Sequence, residues 1–98
     1  TWSTNIYEEI DQWDNDIIIH KNRVNAFHHT ELDNILKRYG VTEILLAGCA
    51  TDLAINSTTR DAHDRDYIVK ILSSCCIAAN DKDHKDSLQL LGKIAEIL

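Results

Sequence analysis

Short apolar runs recur along the chain and predict β-strands. Two of them are continuous, at residues 17–19 and 44–47, and the third, at residues 67–72, is of alternating and continuous apolar character, with Lys70 inside it; each is bounded by polar or glycine residues. Runs of this length without polar alternation are typical of strands that are covered on both faces in a parallel sheet. We therefore predict three strands, and we expect ligand-binding groups at their carboxyl ends, where open α/β sheets bind ligands.

Three other segments are predicted to be helices, and the first and third repeat apolar residues at intervals of three and four, which is typical of amphipathic helices. The first follows Thr30, which we predict as its N-cap, and ends before Gly40. The second begins after the small residues that follow the second strand, with Thr51 or Asp52 as its cap, and runs to about residue 64. The third is predicted at residues 83–98.

The alternation of strand and helix predicts the fold class. Short connections between alternating elements favour right-handed βαβ crossovers, hence an α/β fold with a three-layer, Rossmann-like parallel sheet and helices on both faces. Three buried strands would leave an apolar edge open, so we expect a further half to complete the sheet. The chain contains no Met, which also favours a piece of a longer protein. Residues 1–98 are then half of a single domain.

Composition narrows the possible partners. The net charge is -6, and no cluster of Lys and Arg is present, which argues against binding to nucleic acid. The apolar runs are far shorter than the roughly 20 residues that cross a bilayer, and no secretory signal opens the chain. We therefore expect no membrane partner and a cytoplasmic location.

Cysteine and histidine residues give no pattern of a metal site. Cys49 is isolated and Cys75 adjoins Cys76, so we interpret all three as reduced, buried, small apolar residues. The five histidines lack the spacing of a zinc-binding helical pair. We expect no metal and no cofactor.

Two strand ends carry candidate chemistry. Lys21 follows the first strand, where it either extends to solvent or lowers the pKa of a nearby thiol and assists proton transfer. Residues 48–52 follow the second strand, where small residues either form an ordinary capped turn or let backbone N–H groups face an anion. Residues 74–79, which follow the third predicted strand, are a third place where the sheet could bind a ligand. Sequence spacing alone leaves these alternatives open.

The run GVTEILLAGCATDLAI, at residues 40–55, resembles the signature of the isochorismatase-like cysteine hydrolases, a family that includes nicotinamidases and ureidoacrylate and carbamoylsarcosine amidohydrolases. The next segment, NSTTRDAHDRDY, is similar to the following helix of that family, and KNRVNAFHHTEL, at residues 21–32, is similar to its lysine segment. The resemblance covers nearly the whole chain and identifies it as the C-terminal half of such a domain.

The resemblance implies a site and an assembly. Family members use an Asp-Lys-Cys triad, in which the cysteine attacks a carbonyl carbon, and Lys21 matches the lysine. The turn at Cys49 and Ala50 would carry a cis peptide, and the backbone N–H groups of Ala50 and Ala54 would form the oxyanion hole. Family members commonly form homo-oligomers, which we also expect here.

Departures from the family pattern change the expected activity. The position of the nucleophilic cysteine is occupied by Ala54, whose methyl group cannot attack a substrate, and Cys49 lies on the turn, five residues before it. The strand that carries the family's aspartate would precede Thr1. Asn25, Asp66 and Ser74 stand where serine, glycine and aspartate are usual.

Two hypotheses follow. The first is a hydrolase that acts on an amide (C–N) or enol-ether bond of a small metabolite, inactive in the form given because of Ala54 and the absent aspartate strand. True isochorismatases also lack the cysteine, so its loss does not remove every hydrolytic route. The second is a non-catalytic small-molecule-binding or scaffolding paralogue. Ala54 is either an engineered or a natural replacement.

Overall fold

The computed structural model describes Ile17 and residues 23–98. Its regular elements are, in chain order, helix α1 (Leu32–Arg38), strand β1 (Glu43–Cys49), a π-helical turn (Thr51–Ile55), helix α2 (Asn56–Asp64), strand β2 (Ile68–Ile77), helix α3 (Asp81–Leu91) and strand β3 (Glu96–Ile97). The strand predicted at residues 17–19 lies outside the described residues apart from Ile17, and Lys21 lies outside them.

The described strands form one parallel sheet in the order β1-β2-β3, and the predicted α/β class is confirmed. β1 and β2 pair regularly from Glu43 opposite Ile68 to Leu46 opposite Ile71. The pairing then becomes irregular, and Gly48 lies opposite Cys76. This irregularity falls where β1 approaches the candidate turn, and such interruptions of pairing commonly redirect a strand.

The core lies where the helices cover the middle of β2. Alternate residues of this strand, Val69 and Ile71, are buried, as are Ala62 of α2 and Leu91 of α3. Small residues such as Ala62 allow a helix to approach the sheet closely, while Leu91 fills the space between α3 and the strands. This packing fixes both helices relative to the carboxyl ends of β1 and β2.

The third predicted strand is longer than the sequence indicates. It was expected to end at residue 72, but β2 continues to Ile77, so Ser74, Cys75 and Cys76 lie within it. Pairing explains the extension, because Cys76 and Ile77 lie opposite Gly48 and Cys49 of β1. The expectation that residues 74–79 all follow the strand is therefore wrong.

The prediction of one continuous helix over residues 83–98 is also wrong. Helix α3 ends at Leu91, with Gly92 at its C-cap, and the chain then turns and enters β3. The Leu98 N–H donates to the Ile71 carbonyl at 2.8 Å, and the Ser73 N–H donates to the Leu98 carbonyl at 3.3 Å. Backbone pairing with the central strand thus replaces the last helical turn.

Both predicted threonine caps are wrong in detail. The N-cap of α1 is Glu31, one residue after Thr30. The Thr30 hydroxyl still accepts from the N–H of Leu32, the first residue of α1, at 3.3 Å, and it donates to the Ala26 carbonyl at 2.6 Å. Neither Thr51 nor Asp52 caps the second helix, because both lie within the π-helical turn that precedes α2. Ala50 is the N-cap of that turn, and Ile55 is the N-cap of α2. The predicted C-terminal end near residue 64 is confirmed.

Within the described part of the chain, the helices lack the length and apolar character that crossing a membrane requires.

Candidate functional site

The turn that follows β1 brings three of the four predicted site residues together. The peptide bond between Cys49 and Ala50 is cis, as the resemblance implies, and Ala54 lies in the π-helical turn that follows directly. Cys49 is exposed, whereas Ala50 and Ala54 are half-buried. Lys21, the fourth, lies outside the described residues, so its position relative to this turn stays a prediction.

Backbone geometry gives this turn its shape. Gly48 has φ +131°, which side chains rarely permit and which glycine adopts readily. The Ala50 carbonyl accepts hydrogen bonds from the N–H groups of Leu53 and Ile55, both at 3.1 Å. The bond from Ile55 spans five residues and is the π-type hydrogen bond of this turn. Residues 50–55 therefore form a closed loop of backbone at the carboxyl end of β1.

A buried side-chain contact supports the turn from a different helix. The Thr51 side chain is fully buried, and its Oγ1 lies 2.9 Å from Nδ1 of His84 on α3. This contact was missed from the sequence, where Thr51 was considered only as a helix cap and His84 only as one of five histidines that lack the spacing of a zinc site. The two residues are 33 positions apart, and no local spacing connects them.

The expectation that all three cysteines are buried is wrong for two of them. Cys49 and Cys75 are exposed and only Cys76 is buried. Adjacent residues of a strand face opposite sides, so Cys75 and Cys76 cannot both face the core. Burial raises the pKa of the Cys76 thiol, which donates to the Leu72 carbonyl at 3.4 Å. Cys76 is therefore protonated and unreactive near neutral pH.

The segment that follows Lys21 is anchored to α2. The Asn25 side-chain amide donates to Asp61 Oδ2 at 2.6 Å, and the Ala26 N–H donates to the buried Thr58 hydroxyl at 3.0 Å. Burial raises the pKa of Asp61, but hydrogen bonds from Arg65 and Asn25 outweigh it and leave the pKa below its ordinary value. These contacts tie the predicted lysine segment to the helix that continues from the candidate turn.

Aromatic packing completes this anchor. Phe27 is buried and stacks on Tyr67, with their ring centroids 5.8 Å apart. The Arg65 guanidinium lies over the Phe27 ring at 5.0 Å and bonds Asp61 at 2.7 Å. The chain therefore holds residues 25–27 by apolar, ionic and hydrogen-bonding contacts together.

The described residues contain no group of three or more His, Cys, Asp or Glu side chains placed to hold a metal ion. An open groove of about 600 Å³ lies at the opposite end of β2 from the candidate turn, lined by Ile68, Val69, Lys93, Ile94 and neighbouring residues. It contains none of the predicted site residues.

The parallel sheet and its covering helices define an α/β protein, and the turn at the carboxyl end of β1 lies where proteins of this class commonly bind ligands. The chain belongs to the isochorismatase family: it matches the Isochorismatase domain over residues 1–98.

Relatives and solved structures support the same assignment. The chain is 35% identical over 85 residues to the uncharacterised isochorismatase family protein YecD of Escherichia coli O157:H7, covering 86% of this chain and 45% of that protein. It is 31% identical over 71 residues to the ureidoacrylate amidohydrolase RutB of Pantoea ananatis, covering 72% of this chain and 28% of that protein. The chain thus spans less than half the length of these relatives.

Among solved structures, an isochorismatase-like hydrolase from Alkaliphilus metalliredigens superposes with a TM-score of 0.94 at 29% identity, covering 99% of this chain and 53% of that one. The nicotinamidase PncA of Bacillus subtilis gives a TM-score of 0.74 at 28% identity, covering 79% and 44%. The predicted Rossmann-like architecture is confirmed.

Proposed function

We propose that this chain forms part of a hydrolase site that binds a small metabolite through an amide (C–N) or enol-ether group. The observation that carries the proposal is the backbone turn of residues 50–55 at the carboxyl end of β1, in which the Ala50 carbonyl accepts from the N–H groups of Leu53 and Ile55 and a π-helical turn begins at Thr51. Backbone N–H groups at the start of a helix are suited to stabilise negative charge on a substrate oxygen. We assign the N–H groups of Ala50 and Ala54 to that role.

The names of similar proteins favour the amide over the enol ether. They include ureidoacrylate amidohydrolase, nicotinamidase and N-carbamoylsarcosine amidase, each named for a substrate with a C–N bond. The position assigned to a nucleophile is Ala54, which offers no lone pair for attack. In the proposed mechanism Lys21 assists proton transfer, and the chain with Ala54 binds an amide without forming a covalent intermediate at position 54.

The second candidate is a non-catalytic small-molecule-binding module. Ala54 favours it, because the same oxyanion-binding turn without a thiol retains recognition and loses covalent chemistry. Under this hypothesis ligand binding depends on the turn and is unchanged by a thiol at position 54.

The discriminating experiment compares the complete protein with its Ala54→Cys and Ala79→Cys variants. Ala79→Cys is the matched control, because it adds a thiol at an exposed position after β2, outside the candidate turn. Ammonia release is measured with ureidoacrylate, nicotinamide and N-carbamoylsarcosine, and acyl adducts are sought by intact-mass spectrometry. Turnover by Ala54→Cys alone supports the hydrolase. Binding without turnover by every variant favours the module and contradicts the hydrolase.

The proposal includes completion of the domain by a further half and a homo-oligomeric assembly. The chain covers 53% of the Alkaliphilus metalliredigens structure, and among the described strands β1 pairs only with β2. Leu45 on that strand is 58% exposed, as expected if further chain covers this side of the sheet. Mass spectrometry of the protein isolated from its natural source tests both expectations: a denatured chain of 11.2 kDa would contradict completion by a further half, and a monomer under native conditions would contradict the homo-oligomer.

A further inference from the structure

The contact between Thr51 and His84 joins helix α3 to the first residue after Ala50. Thr51 Oγ1 and His84 Nδ1 are 2.9 Å apart, and the Thr51 side chain has no exposed surface. A buried hydroxyl that loses its partner bears the full cost of its desolvation. Within the described residues, no other side chain is seen to bond this hydroxyl, so the orientation of Thr51 depends on His84.

Helix α3 is built to hold the His84 ring in place. Its N-cap, Asn80, accepts a hydrogen bond from the Asp83 N–H at 2.9 Å, and the His84 N–H donates to the Asn80 carbonyl at 3.2 Å. Ser87 and Leu91, three and seven positions after His84, are buried. Residues at this spacing share one face of a helix, so His84 lies at the N-terminal end of the face that packs inward.

We propose that His84 is a positioning residue of the candidate site, which acts through Thr51 to hold the π-helical turn in its active conformation. The inference rests on the proposed function and deepens it, because the turn so held contains both N–H groups assigned to the oxyanion. His84 has no assigned contact with substrate. It orients the backbone that meets the substrate oxygen.

The chemistry of the contact identifies the informative substitutions. Either the threonine hydroxyl donates to Nδ1, or a protonated Nδ1 donates to the hydroxyl. An asparagine at position 84 places an amide near the Nδ1 position and supports both directions. A leucine fills similar space and supports neither. His84→Asn is therefore the conservative variant and His84→Leu the disruptive one.

The test measures the turn without requiring turnover. In the Ala54→Cys background, the rate of iodoacetamide alkylation at position 54 is followed from pH 6 to pH 9 in the complete protein and assigned by fragmentation of the peptide of residues 39–60. A thiol at a rigid helix start has a raised thiolate fraction. We expect His84→Leu to slow alkylation at pH 7 by about tenfold, the order of effect of one lost buried hydrogen bond, and His84→Asn to restore it.

Thr51→Val provides a second route to the same conclusion and carries the test if His84→Leu does not fold. It should slow alkylation by a similar factor, and combining it with His84→Leu should add nothing, because both remove one interaction. His63→Leu, at an exposed histidine of α2, is the control and should leave the rate unchanged.

Two results would overturn the proposal: an alkylation rate and pH profile that do not respond to residue 84, or full additivity of the two substitutions. Failure of the proposed function has a different signature. In that case the alkylation rate still depends on His84, but Ala54→Cys hydrolyses none of the tested amides.

Discussion

Asp33 of α1 is the residue on which three side chains converge, one from its own helix and two from the connection between α2 and β2. The Tyr67 hydroxyl donates to its carboxylate at 2.7 Å, and Lys37 and Arg65 form ion pairs with it at 3.1 and 3.4 Å. The hydrogen bond from Tyr67 and the one from Lys37 hold the pKa of Asp33 below its ordinary value. This cluster joins α1 to the chain between α2 and β2.

Tyr67→Phe tests how far this cluster stabilises the fold. The substitution keeps the stacking on Phe27 and removes the hydroxyl, leaving one acceptor of a half-buried carboxylate without its donor. We expect the free energy of unfolding at pH 7 to fall by about 1 kcal/mol, as measured by urea denaturation. Tyr39→Phe, at a residue that is 68% exposed, is the control and should have little effect.

The same variant has a distinct pH signature. Burial and the hydrogen bond to Asp33 raise the pKa of Tyr67 to about 12, against about 10 in an unfolded chain. Since the folded state holds this proton more tightly, the stabilisation is complete below pH 10 and is lost as the pH rises towards 12. Tyr67→Phe should remove this alkaline component. An identical loss in both proteins would show that other groups cause it.

At the residue scale, the position of the candidate turn was predictable, whereas side-chain contacts between distant elements were not. The turn at Cys49, Ala50 and Ala54 was located from the order of small residues and the resemblance, and the cis peptide lies where expected. Thr51 was misassigned because its partner, His84, comes from another helix. The burial of Cys75 and Cys76 was misjudged because it depends on which face of β2 each residue occupies, and β2 was predicted to end before both of them. Cys49 was misjudged because β1 continues to it and leaves it exposed at the end of the strand.

Among the elements, α3 combines a defined start with a role beside the candidate site. Asn80 accepts from the Asp83 N–H and also donates its amide to Asp83 Oδ2 at 3.0 Å. This reciprocal pair satisfies a backbone donor that the helix itself leaves unpaired. The sequence contained the signal, an asparagine followed three residues later by an acid, although the helix was predicted to start later.

Asn80→Ala should therefore destabilise α3. We expect a loss of about 1 kcal/mol in the free energy of unfolding, measured by thermal or urea denaturation. Asn34→Ala is the matched control: that amide lies within α1 and contacts only the exposed Glu31 side chain among the contacts seen, at 3.3 Å. Equal effects of the two substitutions would contradict a capping role for Asn80.

Elements with both an apolar pattern and a clear boundary were predicted correctly, as β1 and the end of α2 show. Strand β3 was missed because Leu88, Leu91, Ile94 and Ala95 continue a helical spacing across Gly92. Ile94 and Ala95 do pack against the core, but they reach it from a turn. A two-residue strand has too little sequence for periodicity to reveal it, and pairing with β2 decides its conformation.

For the whole molecule, β2 is the structural centre. It pairs with β1 on one side and β3 on the other, and its buried residues Val69 and Ile71 form the middle of the core. Helix α1, by contrast, has no buried residue. Local opening is easier where few apolar contacts are broken.

Hydrogen exchange followed by mass spectrometry or NMR should show this difference. We expect the amides of Val69 and Ile71 that are bonded within the sheet to exchange most slowly, and those of α1 to exchange at least tenfold faster. Uniform protection of both elements would show that α1 opens only with the whole domain. The α/β class was predictable because apolar strand segments alternate with helical segments along the chain. The distribution of stability was not predictable, because it depends on the order of the strands in the sheet.

The π-helical turn at Thr51–Ile55 also sets the rotational phase of everything that follows it. A π turn holds about one residue more than an α turn, so the side chains beyond it are rotated by roughly 100° about the helix axis relative to an uninterrupted α-helix. Thr58, Thr59 and Ala62 face the interior in this phase. Deleting one residue from the turn while keeping its entry fixed would rotate them out of the core. The extra residue of this turn therefore shapes the candidate site and also sets which side chains of α2 face the core. A change in the length of the turn would alter both.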